Sequence, residues 1–212
     1  MIKSIQQYIK KLNFGYKSDL RSKNVKYFNC FAKFVDCNTL SLTDDKGNQQ
    51  TVKAKTILIA TGGRPNYLDV EGSKECCITS DDIFSIKSSP GKTLVVGASY
   101  IALECGGFLT SLGYDTTIMV RSILLRGFDQ DMALRIGEYM EKRGTRFIHK
   151  AIPTKFLKKD NGKIVVEYDP NSEKGKRNTS TSLSQRINRK IHEKGIANHL
   201  NDDAKNYRIN RT

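Results

Sequence analysis

Apolar residues recur at two different periods along this 212-residue chain. Ile2, Ile5, Ile9 and Leu12 share one face at helical spacing and predict an amphipathic helix over Ile2–Leu12. Val25–Phe34, Thr39–Thr43 and Gln49–Ala54 read as strands, the last two joined by the turn sequence Asp44-Asp45-Lys46-Gly47-Asn48. Thr56–Ala60 is a continuous apolar run. It predicts a buried strand ending in the turn Thr61-Gly62-Gly63-Arg64-Pro65. Ser80–Ile86 predicts a short helix, with Ser80 as its cap and Asp81 and Asp82 in the first turn.

The next stretch switches period twice. Thr93–Val96 is an apolar strand that breaks at Gly97; Tyr100–Leu112 is helix-like and stops at Gly113; Thr116–Val120 is a β-branched strand. The unit from Thr93 to Val120 is 28 residues long, close to the ~30 of a β-α-β unit. A second helix, Asp129–Arg143, is predicted with Asp129 as its cap, Met132, Ile136 and Met140 as its apolar stripe, and Gly144 as its end. Arg146–His149 is the next strand. Lys155–Lys158 and Lys163–Tyr168 flank Asp160-Asn161-Gly162, a hairpin signal. After Tyr168 the chain turns rich in Asn, Ser, Thr, Lys and Arg, and 169–212 reads as mostly disordered. A doubly wound sheet expects one more strand after the hairpin, and the pattern shows none.

Composition narrows the class. The chain is 38% hydrophobic and 27% charged, the balance of a soluble globular protein. It has neither an 18-residue apolar run nor a secretory signal, so a membrane partner is not expected. Five cysteines, Cys30, Cys37, Cys76, Cys77 and Cys105, form no CxxC pair and read as reduced thiols of a cytoplasmic compartment, with a mitochondrial one as the other candidate. The formal net charge is +14, and residues 171–212 alone hold ten Lys and Arg against four Asp and Glu. No motif that reads nucleic acid accompanies this charge; an anionic cofactor and a solvated surface account for it.

The candidate chemistry sits in the β-α-β unit. Gly97 permits a tight strand-to-helix turn. Ser99 and Ala102 stand where the dinucleotide fingerprint places its second and third glycines, and Ser99 can also cap the helix. The helix N-terminus near Ser99–Ile101 offers free N–H groups to a phosphate. Beyond the second strand come Arg121, Ser122 and Arg126, where a dinucleotide fold holds the adenine ribose. Cations there suit the 2′-phosphate of NADP rather than the 2′-hydroxyl of NAD. Each residue has a plainer alternative: the arginines as solvated charges, Tyr100 as a core aromatic, Glu104 as an exposed helix residue.

Four segments together resemble the high-molecular-weight thioredoxin reductases, including the thioredoxin–glutathione reductase branch, within the pyridine nucleotide–disulfide oxidoreductases. They are Leu58–Pro65, Ile78–Phe84, Pro90–Glu104 and Met119–Met132. The likeness extends over roughly Met1–Tyr168. It implies an α/β fold in which a Rossmann-like NADPH-binding domain (91–168) is inserted into a partial FAD-binding domain (1–90), with a basic, disordered tail (169–212). It also implies that Gly97, Ala98, Ser99, Tyr100, Ile101, Ala102, Leu103 and Glu104 lie along the NADPH path, and that Arg121, Ser122 and Arg126 hold the 2′-phosphate. Tyr100 would cover the flavin ring, and Glu104 would pair with a lysine beside it. Thr61 and Gly62 would contact FAD, and Phe31 and Ala32 would lie against its adenine, although Phe28, Phe31 and Phe34 would equally bury aromatics in an ordinary strand. The implied activity is an NADPH-dependent FAD flavoprotein reduction of thioredoxin or glutathione disulfide by a homodimer. The CxxxxC redox pair and a His-Pro pair do not occur in this sequence. The expectation is therefore a fragment without catalytic residues of its own and without a metal. An inactive NADPH-binding module is one alternative, and a basic protein whose tail binds nucleic acid is another.

Overall fold

The computed structural model describes residues 1–160, 162–170, 185–187 and 195–197. The chain is α/β and divides into two compact units, Lys3–Gly62 and Gly63 onward.

In the first unit, helix α1 spans Ile2–Ser22 and buries no residue. It runs past the expected end at Leu12 because nothing breaks it: the lone Gly15 costs only about 1 kcal/mol. The helix closes where Lys23 pairs with Asp19 at 2.8 Å and the Ser22 hydroxyl donates to the Asp19 carbonyl. Three antiparallel strands follow in the order β1 (Phe31–Asp36), β2 (Thr39–Thr43), β3 (Gln49–Lys53). The strand expected over Val25–Phe34 is displaced to Phe31–Asp36, because β2 ends at Thr43 and its register partner is Phe31. Asp44 builds the second turn by accepting from the backbone of Lys46 and Asn48 and from the Asn48 amide. Those bonds, the Asn48 side chain first, hold its carboxyl below the usual range. The strand expected over Thr56–Ala60 does not form. A continuous apolar run makes a buried strand only with neighbours to pair with. None of the described strands pairs with it, and Leu58 is 88% exposed.

The second unit is built on a parallel sheet ordered β4 (Cys77–Ile78), β11 (Gly195–Ala197), β5 (Thr93–Val96), β6 (Thr116–Val120), β7 (Arg146–His149). Helices α3 (Tyr100–Ser111) and α4 (Gln130–Lys142) cover one face. Val95, Ile118 and Val120 point into their core with Ala102, Leu103, Leu109, Ala133 and Met140. The alternating positions, Leu94 and Met119, enter a second core with Phe156, Ile164, Val166 and Tyr168 of the hairpin β8 (Ile152–Lys158) and β9 (Ile164–Asp169). Burial on both faces is why β5 and β6 read as continuous apolar runs. At the strand starts, Asp115 receives Lys92 and the Arg146 guanidinium.

Three local expectations change. The Ser80–Ile86 helix contracts to a 3-10 turn at Ile83–Ser85, because the Asp82 carboxylate turns back to accept from the Thr79 backbone N–H and hydroxyl; Ser80 is not its cap. Asp129 does cap α4, accepting from Met132 N at 2.9 Å. The buried stripe of α4, however, is Ala133, Gly137 and Met140, while Met132 is 58% and Ile136 39% exposed. Small residues let the helix approach Leu124, which lies against Gly137. In the tail, β10 (Gln185–Ile187) pairs antiparallel with β9, and β11 supplies the further parallel strand that the sequence pattern does not show. The expected disorder of the rest of the tail falls outside the described residues. Among the described residues no helix is long and apolar enough to cross a membrane.

Gly72 is the N-cap residue of the short helix α2 (Ser73–Cys76) and lies against Phe156 of β8. Its φ is +75°, and a Cβ there would run into the backbone carbonyl of Phe156. Gly72→Ala is expected to destabilise the chain by about 2–4 kcal/mol, combining left-handed strain with overpacking. Urea unfolding with an unchanged midpoint would contradict this packing.

Candidate functional site

β5 and β6 run in register, Val96 opposite Met119, so the residues that follow them emerge at one edge of the sheet. At the end of β5 the backbone N–H of Gly97 still reaches the Met119 carbonyl at 3.0 Å. Gly97 then turns with φ +136°, a conformation that disfavours any side chain. Ser99 stands at the N-cap of α3, and its carbonyl accepts the first helical bond, from Leu103 N. Its hydroxyl makes no capping bond. The first-turn N–H groups of α3 therefore face outward with the positive end of the helix dipole.

The segment after β6 forms a basic arch. Leu124 and Leu125 are buried in the helix-side core and anchor it. Leu125 adopts φ +45°, and its N–H donates to the Ala98 carbonyl at 2.8 Å, tying the arch to the turn after β5. Arg121 and Arg126 stay exposed on either side of these anchors. Arg126 Nη2 donates to Ser122 Oγ at 2.7 Å and draws the arch closed. Two residues beyond the end of β7, Ala151 N donates to the Val120 carbonyl at 3.1 Å.

These walls enclose a cavity of about 470 Å³, a size suited to a small-molecule or cofactor ligand. Its lining includes Gly97, Ala98, Ser99, Arg121, Ser122 and Arg126. Leu68, Asp69, Val70, Ala151, Ile152 and Pro153 also line it. Two guanidinium groups, a hydroxyl and a helix N-terminus together make an anion site with bidentate donors. Nothing in the sequence pattern marks Leu68–Val70 or Ala151–Pro153. They are short stretches that only the fold brings to the cavity.

The remaining sequence-selected residues lie elsewhere. Ala102 and Leu103 are buried in the helix–sheet core, and Ile101 is half-buried behind the turn. Tyr100 and Glu104 are exposed one helical turn apart on α3 and do not line the cavity. Thr61, Gly62, Phe31 and Ala32 belong to the first unit, where all four are exposed; Phe31 is 74% exposed on β1. None of the five cysteines is joined in a disulfide. Burial first, then the Glu104 charge, pushes the Cys105 thiol up to about 11, which leaves it protonated and a poor nucleophile. Among the described residues no cluster of His, Cys, Asp and Glu could hold a metal ion. His149 is an exposed strand-end residue stacked on Phe147.

Comparison with known proteins gives a consistent pattern. The sequence profile described as pyridine nucleotide-disulphide oxidoreductase matches residues 2–183. Thioredoxin reductase SEP1 of Emiliania huxleyi is 56% identical over 154 residues, 73% of this chain and 31% of its own length. Thioredoxin reductases from two isolates of Plasmodium falciparum, FCH-5 and 3D7, are each 49% identical over 215 residues. They align with all of this chain over 38% and 33% of their own lengths. The chain thus spans about a third of the length of the curated relatives it matches. The likeness also reaches past Tyr168, where the sequence motifs end.

Gly97→Val forces a β-branched side chain into φ +136°. It is expected to cost about 1–3 kcal/mol of stability and to misplace the N-terminus of α3. Thermal unfolding indistinguishable from the parent protein would contradict the turn.

Proposed function

The chain belongs to the pyridine nucleotide-disulphide oxidoreductase family, and from that premise we propose that the cavity binds NADPH by its 2′-phosphate. The reaction served is NADPH-dependent disulfide reduction of the thioredoxin reductase kind, part of thiol redox homeostasis. The observation that carries this reading is the basic arch: Arg121, Ser122 and Arg126 gathered on one cavity wall, with Arg126 already bonded to Ser122. An NAD site would want a carboxylate at that strand end to take the 2′-hydroxyl. Gly97–Ser99 and the N-terminus of α3 would receive the pyrophosphate. When bound, NADPH supplies a hydride, and the residues of this chain bind and orient it.

FAD, a thioredoxin or glutathione disulfide partner, and a homodimeric assembly complete the reading. Their support is the kinship to thioredoxin reductases of Emiliania huxleyi and Plasmodium falciparum. Tyr100 and Glu104, exposed side by side on α3, remain the residues proposed to face a flavin. We place the protein in a reducing, cytoplasmic compartment, consistent with five cysteines outside any disulfide.

Arg121→Ala tests the central assignment. Loss of a charge-assisted bond to the 2′-phosphate is expected to weaken NADPH by about 1.5–3 kcal/mol and NADH by far less. Binding constants measured by nucleotide fluorescence decide it. Equal losses for both nucleotides would remove the 2′-phosphate from Arg121.

A further inference from the structure

We propose that Gln130 is a positioning residue for Arg126: its side-chain amide holds the basic arch in the form that reads the 2′-phosphate, so selectivity for NADPH depends on a residue outside the cavity; the inference rests on the NADPH reading above. Gln130 is the first residue of α4 and is not among the residues that line the cavity. Its backbone is fixed by the helix, whose N-terminus Asp129 caps through Met132 N. From there its Nε2 donates to the Phe128 carbonyl at 3.0 Å and to the Leu124 and Leu125 carbonyls at 3.4 Å each. Three carbonyl oxygens of the arch thus converge on one amide.

Converging carbonyl oxygens repel one another unless a donor stands among them, and a side-chain amide nitrogen has two N–H bonds to share. The peptides it holds are those that place Arg126. The N–H and C=O of a trans peptide point in opposite directions. In the peptide between Leu124 and Leu125, the N–H donates to the Ala98 carbonyl at 2.8 Å while the C=O accepts from Gln130, so this peptide is gripped on both sides. The next peptide joins the Leu125 carbonyl, also bonded to Gln130, to the backbone nitrogen of Arg126. Its plane sets the direction in which the Arg126 side chain leaves the chain. Leu125 between them has φ +45°, a strained conformation that persists only where its surroundings fix it. Without the Gln130 donor the arch can relax, and the Arg126 guanidinium is no longer held where it meets Ser122 Oγ at 2.7 Å.

The experiment uses the full chain with NADPH and NADH. Dissociation constants are measured by nucleotide fluorescence for the parent protein, Gln130→Met, Arg126→Ala and the double variant. Methionine keeps the length of the side chain and suits a helix, while it removes the donor and adds no charge. Gln130 and Arg126 are both exposed, so neither substitution disturbs the core. Gln130→Met is expected to weaken NADPH about fivefold, the scale of one neutral hydrogen bond, and to leave NADH unchanged. In the Arg126→Ala background the same change is expected to have no further effect on NADPH, because Gln130 acts through that guanidinium. Unchanged NADPH affinity in Gln130→Met, equal weakening of both nucleotides, or a loss that adds to that of Arg126→Ala overturns the assignment while leaving the NADPH reading intact. A parent protein that binds neither nucleotide, or binds both equally, overturns the NADPH reading and this inference with it.

Discussion

The second unit depends on one backbone hydrogen bond, from Leu125 N–H to the Ala98 carbonyl at 2.8 Å. It joins the turn that launches α3 to the arch that carries the arginines. Without it the helix N-terminus and the guanidinium groups would belong to separate loops. The bond requires two unusual backbone conformations, φ +136° at Gly97 and φ +45° at Leu125. The second is a non-glycine residue in the left-handed region, a strain held by burial of the Leu125 side chain. Strained backbone beside an anion-facing wall fits a site whose geometry is fixed before a ligand arrives.

The arch can hold two like charges because of what lies beneath it. Leu124 and Leu125 are packed into the helix-side core, so Arg121 and Arg126 project from a fixed base. The parallel sheet is filled on both faces, by helices on one side and the β8–β9 hairpin on the other. Val96 and Met119 therefore form a firm floor to the cavity.

Much of this was legible in the sequence where the chain's own period fixes the element. Thr93–Val96, Tyr100–Ser111 and Thr116–Val120 are recovered because a buried parallel strand and a covering helix each leave their own apolar pattern. Asp129 was readable as a cap because its chemistry is local. Errors arise where tertiary neighbours decide. Thr56–Ala60 has the pattern of a buried strand but no described strand to pair with. Met132 and Ile136 look like a core stripe, yet α4 packs through Ala133 and Gly137, since close approach favours small residues that hydrophobic periodicity undervalues. Ser80 looks like a cap, but Asp82 captures the Thr79 N–H and hydroxyl first. For the site itself, the glycine turn and the basic arch are visible as sequence. The walls at Leu68–Val70 and Ala151–Pro153 are not, because long-range folding alone brings them to the cavity.

The most direct test of the central claim separates the 2′-phosphate from the rest of the cofactor. Isothermal calorimetry of the full chain would compare adenosine 2′,5′-bisphosphate with adenosine 5′-monophosphate, which differ only in that group. The arch predicts that the bisphosphate binds at least about tenfold more tightly, with the advantage shrinking as salt is raised. Equal affinity for the two, or no binding of either, would contradict a site built to read that phosphate.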